Sequence, residues 1–385
     1  MKEGNFLAER KFGKKNIIKV DPLAYNLGLI GLSGIGKTTL AKEVCEELVG
    51  EDGYIIANVG REDGIDAIAG AIYEDIPDWD VFEEFTTDII ENKLTDYKDL
   101  KVIVWDTIDE LIRIAEPEAI RLSNKDQYGK KDPKIAKTIN QAWGGFGKGE
   151  AYTIDLIMGI LWELKRVGVA MFLVGHTKER TMTDSISGLE YNIITTNMQH
   201  NYFTALKTKL HILGVASIDR EIVMEKTGKK DFAGKDKIKG HVKNESRKIT
   251  FRDDNFNVDS KSRFSEIIDS IEFNHSDFIK AVEDAIKIEH DKQSGNKSIE
   301  ETKVEQAIEK DKIVEKNVSE KKDELKDLEV EKIVAVITDF VKTNRSSPEK
   351  LKPLLLRSKE MGYINPTKVD NLENANELLS LIVNK

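Results

Sequence analysis

A single cysteine, Cys45, stands in the 385-residue chain, so no intramolecular disulfide is available and a reducing compartment is expected. The six histidines are scattered, and neither a Cys/His cluster of metal-ligand spacing nor a Ser-His-Asp grouping stands out. Seven prolines and 26 glycines show no collagen-like repeat and no mucin-like bias. No apolar run approaches the roughly 20 residues that a membrane-spanning helix needs. The opening "MKEGNFLAERKFGKK" lacks the apolar centre of a secretory signal. Positive charge is also in deficit, with a net charge of −10, so any contact with nucleic acid must come from local basic patches rather than a global field. These absences lead to the expectation of a soluble, cytoplasmic protein with no membrane partner.

What is present is ample apolar material, 39% of residues, enough for a sizeable core with length left over. Up to about residue 175, short β-branched-rich runs alternate with helical stretches. "YNLGLIGL", "GYIIANV", "KVIVWD" and "VAMFLVGH" read as four strands, and "KTTLAKEVCEELV" as a helix. Continuous apolar strands suit a sheet buried on both faces, and strand–helix alternation predicts a mainly parallel α/β sheet. After His176, "YNIITTNM", "LHILGVASI", "EIVME" and "RKITFRDD" read as separate strands of an antiparallel extension. The basic stretch from Glu225 to Lys248 reads as a mobile hairpin or partly disordered loop.

From about Glu289 the chain becomes nearly all Glu, Lys, Asp and Ser. Val304, Ile308, Val318 and Leu325 keep a heptad only in part, because Asp311 and Lys322 fall in the seam. A solvated linker, helical in places, is expected there. Three short amphipathic helices follow, in "IVAVITDFVKTN", "SPEKLKPLLLRSKEMGY" and "NANELLSLIVN", with Ser347 and Pro348 opening the second and Gly362 closing it. The expected organisation is an α/β domain over 1–275, a charged linker over 276–330 and a small helical module over 331–385.

The chemistry begins at "GLSGIGKT", a full Walker A match. Gly31, Ser33, Gly34, Ile35, Gly36, Lys37, Thr38 and Thr39 are the expected phosphate-binding residues, with backbone N–H groups curling around an anion at a helix N-terminus. Lys37 is expected to reach the β- and γ-phosphates of ATP, and Thr38 to ligand Mg²⁺. Asp106 ends the apolar strand "VIVWD" in Walker B fashion and is the second expected Mg²⁺ residue. A further carboxylate must orient the attacking water. The residue after Asp106 is Thr107, so the arrangement with a Glu directly after the Walker B Asp fails. Glu62, after the second strand in "GREDG", is preferred, and Asp109 and Glu110 in "DTIDEL" are the alternative. His176 tips the strand "MFLVGH" and is read as a γ-phosphate sensor, with a turn cap as the plainer reading.

Two segments concern partners. "AWGGFGKGE" reads equally as a nucleic-acid contact or a surface loop. Lys207, Lys209, Lys229, Lys230, Lys235, Lys237 and Lys239 are candidates for tracking phosphates of single-stranded DNA, or for a merely solvated face. Arg247, Lys248, Arg252, Lys261 and Arg263 are candidates for a finger reaching a neighbouring subunit's γ-phosphate.

Taken together, "GLSGIGKTTLA", "NVGREDGIDAI", "IPDWDVFEEF", "VIVWDTIDEL", "FLVGHTK" and "RKITFRDDNFNVDSKSRF" resemble the phage-encoded AAA/RecA-like ATP-binding proteins of low-GC Gram-positive hosts. The resemblance covers roughly residues 15–270, with "GHTK" and "DDNFNVDSKSRF" its more specific pieces. It implies a RecA-like core, ATP as ligand, a homo-oligomer and a role beside phage recombination or replication proteins in the host cytoplasm. Asn58 stands near a position where related RecA-type proteins carry an acidic residue. Two other readings compete. One is an ATP-gated adaptor or loader with little hydrolysis, which the tethered terminal helices fit. The other is a small-molecule P-loop kinase, which would need an Arg-rich lid that is not evident.

Overall fold

The computed structural model describes residues 16–60, 63–183, 188, 190–230, 236–252, 259–293, 297–345 and 347–383. The four strands read from the first half are present as β1 (Leu27–Gly31), β2 (Tyr54–Val59), β4 (Val102–Asp106) and β5 (Ala170–Thr183). A further short strand, β3 (Tyr73–Ile76), has no apolar run of its own and shows three of its four residues to solvent. β6 (Glu190–Thr196), β7 (Ile212–Lys230), β8 (Asp236–Thr250), β9 (Lys261–Ser262) and β10 (Ser270–Glu272) follow. The sheet order is β10-β8-β7-β1-β5-β4-β2-β3, with β6 on β5 and β9 on β7.

β1 lies parallel between β5 and β7, and β5, β4, β2 and β3 continue the parallel part. β8 runs antiparallel to β7. Of the strands expected in an antiparallel extension, β6 pairs antiparallel with β5 and β8 with β7, whereas β7 itself pairs parallel with β1.

Side chains alternate between two cores, as the pleat requires. Ile103 and Trp105 of β4 face one cluster, and Val102 and Val104 face the other. The first cluster is covered by α2 (Trp79–Glu91), α3 (Ile108–Gln127), α4 (Lys148–Arg166) and α5 (His200–Lys209). The second is covered by α1 (Lys37–Val49) and α6 (His275–Gln293). α2 starts where the Asp78 carboxylate accepts the Val81 N–H at 3.0 Å. α1 ends at Gly50, whose N–H bonds the Glu46 carbonyl.

The structure departs from the sequence reading at three places, each through a long-range contact. β7 is one strand where two were expected; the basic stretch takes the hairpin form, one of its two readings, with strands that pair out to Lys230 and Asp236. α6 is not linker, because Phe278, Val282, Ala285 and Ile286 are buried in the second core. Phe278 stacks on Phe172 of β5, with ring centroids 5.8 Å apart.

The charged tract is a 45-residue helix, α7 (Ile299–Thr343), opened by a Ser298/Glu301 capping box. It lies along the core: Val318 is buried there, Lys321 pairs with Glu163, and Lys310 pairs with Asp21. The expected first terminal helix is the end of α7. It packs with α8 (Pro348–Glu360) and α9 (Leu372–Val383) around Ile337, Leu354, Ala375 and Leu378. No helix among the described residues is long and apolar enough to cross a membrane.

Candidate nucleotide-binding site

β1 ends at Gly31, level with His176 on β5 and Ala216 on β7. The chain then turns through Gly34 and Gly36, both at positive φ, and enters α1 with Gly36 as its N-cap. This puts exposed backbone at Ser33 and Gly34 and the helix N-terminus beneath them. Ile35 is buried beneath the loop and anchors it to the second core. Lys37 is only 6% exposed, and its ammonium donates to the Leu32 carbonyl at 3.1 Å.

Three sequence-distant groups converge here. Thr38 Oγ1 donates to Asp106 Oδ2 at 2.5 Å. Burial pushes the Asp106 carboxyl up from its ordinary value, opposed by the Thr38 hydrogen bond and by the nearby Lys37 and His176. A cation at this carboxylate would offset that cost of burial. A threonine hydroxyl and a carboxylate side by side at a phosphate-binding loop are hard oxygen donors that suit Mg²⁺. The residues present thus fit the metal that a P-loop ATPase uses.

Asp109, one turn along from Asp106, joins β4 to β5. Its Oδ2 accepts the His176 backbone N–H at 2.8 Å and lies 3.5 Å from His176 Nδ1. Its Oδ1 is buried without a protein partner. Lys37, Thr38, Asp106, Asp109 and His176 thus form one cluster across the ends of β1 and β4 and the middle of β5, which runs on past His176 to Thr183 rather than ending there as the sequence suggests.

Glu110 faces the other way. It pairs with Arg113 at 2.5 Å and lies against Gly60 at the end of β2. Gly60 has φ +85, and a Cβ there would stand 2.5 Å from Glu110 Oε2, so glycine is required on both counts. Glu62 lies outside the described residues. Asn58 donates to Asp75 of β3 at 2.7 Å.

The five finger candidates separate. Lys261 and Arg263 donate to the carbonyls of Lys207, Thr208 and Leu210, closing the C-terminal end of α5. That end leads into the start of β7, opposite the P-loop edge. Lys207 and Lys209 share that position, and Lys209 pairs with Asp155 at 3.0 Å. Arg252 pairs with Asp269, and Lys248 with Asp219 across the ribbon. Arg247 alone reaches a P-loop, and it is the loop of its own chain: its Nη1 donates to the Ile35 carbonyl at 3.1 Å. Phe273, beside it, escaped the sequence reading, because nothing local marks a residue that long-range β8–β10 pairing brings to Gly36.

Residues 24–264 match the family model of an AAA domain. The chain belongs to that AAA-domain family. A search of curated proteins gives no match. The matched span of the AAA domain begins just before β1 and ends at Phe264, so it contains the whole cluster and both ribbons. α6, α7, α8 and α9 lie beyond it.

Proposed function

We propose that this AAA domain hydrolyses ATP and uses the cycle to act on single-stranded DNA in phage recombination or replication, as a RecA-like assembly. One observation carries the reading: two antiparallel ribbons rise from the same edge of the sheet as the P-loop. β5 passes His176 without a break and continues to Thr183 against β6. β7 passes Ala216, level with Gly31, and continues through Ser217–Lys230 against β8. At about 3.4 Å per residue that ribbon is roughly 45 Å long. Lys226, Lys229, Lys230, Lys237, Lys239 and Lys243 stand along its strands. Such a ribbon suits a phosphodiester backbone. The phage setting is supported by the "GHTK" and "DDNFNVDSKSRF" resemblance alone.

In this reading the Gly31–Thr39 backbone and Lys37 grip the triphosphate. Thr38 and Asp106 would hold Mg²⁺, which supplies charge neutralisation on the phosphate oxygens when bound. Asp109 fixes β5 at His176 through the His176 N–H, so His176 faces the terminal phosphate in a set orientation. Loss of that phosphate then moves the start of the β5–β6 ribbon. The water-orienting role falls to Glu62, since Glu110 is engaged by Arg113.

Glu62→Gln is expected to keep ATP binding and stop turnover. Normal turnover in that variant with loss in Glu110→Gln would move the role to Glu110. Retention of single-stranded DNA at low salt, falling steeply as salt rises, is the matching binding result. A second reading, an ATP-gated adaptor, is favoured by the separate apolar cluster of the terminal helices.

A further inference from the structure

The P-loop is held from outside by the edge of the sheet that carries the basic ribbon. β1 leaves the sheet at Gly31, opposite Ala216, and Ala216 pairs with Ile249 of β8. Arg247 lies two residues further along β8, on the same face as Ile249. It therefore stands where the P-loop begins, and its guanidinium donates to the Ile35 carbonyl. The Arg247 carbonyl in turn accepts the Phe273 N–H at 3.0 Å. The Phe273 ring then covers Gly36: a Cβ built on that glycine would lie 3.4 Å from Phe273 Cε1 and 3.9 Å from Arg247 Nη1. Two neighbouring residues of the loop are thus braced by one short strap.

We infer that Arg247 is a positioning residue of the P-loop, acting in cis, and that it ties nucleotide occupancy to the β7–β8 ribbon. An anion-binding loop works through backbone N–H groups held at fixed angles. A charge-assisted bond to the Ile35 carbonyl holds the peptide that follows it, whose N–H faces the other way. Arg247 also pairs with Ile218 at the root of the ribbon. Any tilt of the ribbon there moves the guanidinium, and any shift of the loop on nucleotide binding pulls on the ribbon. By reciprocity the two effects are one coupling.

The test uses the full chain without DNA, so it stays separate from the DNA reading, whose failure would show only in retention and stimulated turnover. Affinity for a fluorescent ATP analogue is measured beside hydrogen exchange of the ribbon amides, with and without a non-hydrolysable ATP analogue. Arg247→Ala is expected to weaken nucleotide binding about tenfold, the loss of one charge-assisted bond, at an unchanged melting temperature. Arg247→Gln, which keeps an N–H donor without the charge, recovers part of the affinity. Nucleotide-induced protection of the ribbon is present in the parent protein and lost in Arg247→Ala. Three results would overturn the inference: parental affinity in Arg247→Ala, ribbon protection that ignores nucleotide or responds equally in both proteins, or full rescue by Lys with none by Gln. The last would place the arginine's charge on the phosphates themselves. If Arg247→Ala does not fold, the Gln and Lys variants decide alone.

Discussion

Asp109 and Glu110 are neighbours in sequence and separate in role. They point from adjacent positions at the N-terminus of α3, so one meets β5 and the other the end of β2. Asp109→Asn keeps the size but turns one of the two oxygens into an N–H₂ group. If that group faces the His176 N–H, the bond is lost and β5 loosens at His176. The expected outcome is turnover reduced more than tenfold with nucleotide affinity within about threefold of the parent. Lys37→Ala is expected to abolish nucleotide binding, as read by loss of the fluorescent analogue's signal.

His211 offers a test of stability rather than activity. Its Nδ1 accepts the Asn26 N–H at 3.0 Å, so the ring must be unprotonated there. Burial, then Lys165, Arg263 and Lys261, lowers its pKa from 6.5 to about 4. Between those values the unfolded chain takes up a proton that the folded one refuses. The contribution is therefore fully present above pH 6.5 and is lost as pH falls toward 4. Denaturation midpoints of His211→Gln are expected to fall less than the parent's across that window. Equal slopes would contradict the assignment.

The elements show where sequence pattern suffices and where it does not. β1, β2, β4 and the Ala170–Gly175 part of β5 are largely buried on both faces, so each is a continuous apolar run that reads directly. The P-loop and Asp106 sit at the ends of β1 and β4, and His176 where the apolar run of β5 ends, which is why the centre of the site was legible. β3 is a mostly exposed edge strand with two adjacent acidic residues and has no such signal. α7 has few apolar positions, and its burial is confined to Val318 and a few other residues along its 45-residue length. A composition of Glu and Lys reads the same for a solvated linker and for a helix laid on a core.

α6 matters most for any dissection of the chain. The sequence places a boundary near residue 276, yet Phe278 packs between Phe172 and Phe251. Phe278→Ala is expected to cost about 3–5 kcal/mol. A chain ended at Ser276 is expected to be insoluble, whereas one ended at Thr343 keeps the ATP-binding core. A soluble, nucleotide-binding 1–276 fragment would contradict the packing described.

At the scale of the whole molecule, opposite ends of the sheet do different things. The P-loop, the Asp106–Asp109–His176 cluster and both ribbons share the edge formed by the strand C-termini. α7 lies along the other end, where Gln306 bonds Ile18 and Val20, and Asn317 bonds the Arg166 carbonyl. α7 thereby fixes the terminal helices to the core at a distance from the nucleotide edge.

In the proposed function, ATP bound at one edge is read out by ribbons on the same edge. The most direct test is steady-state ATP turnover of the full chain with and without single-stranded DNA, with particle mass measured in parallel. The account predicts a severalfold rise with DNA, accompanied by assembly, and no turnover in Lys37→Ala. Turnover indifferent to DNA of every type, with no DNA retention at low salt, would contradict it.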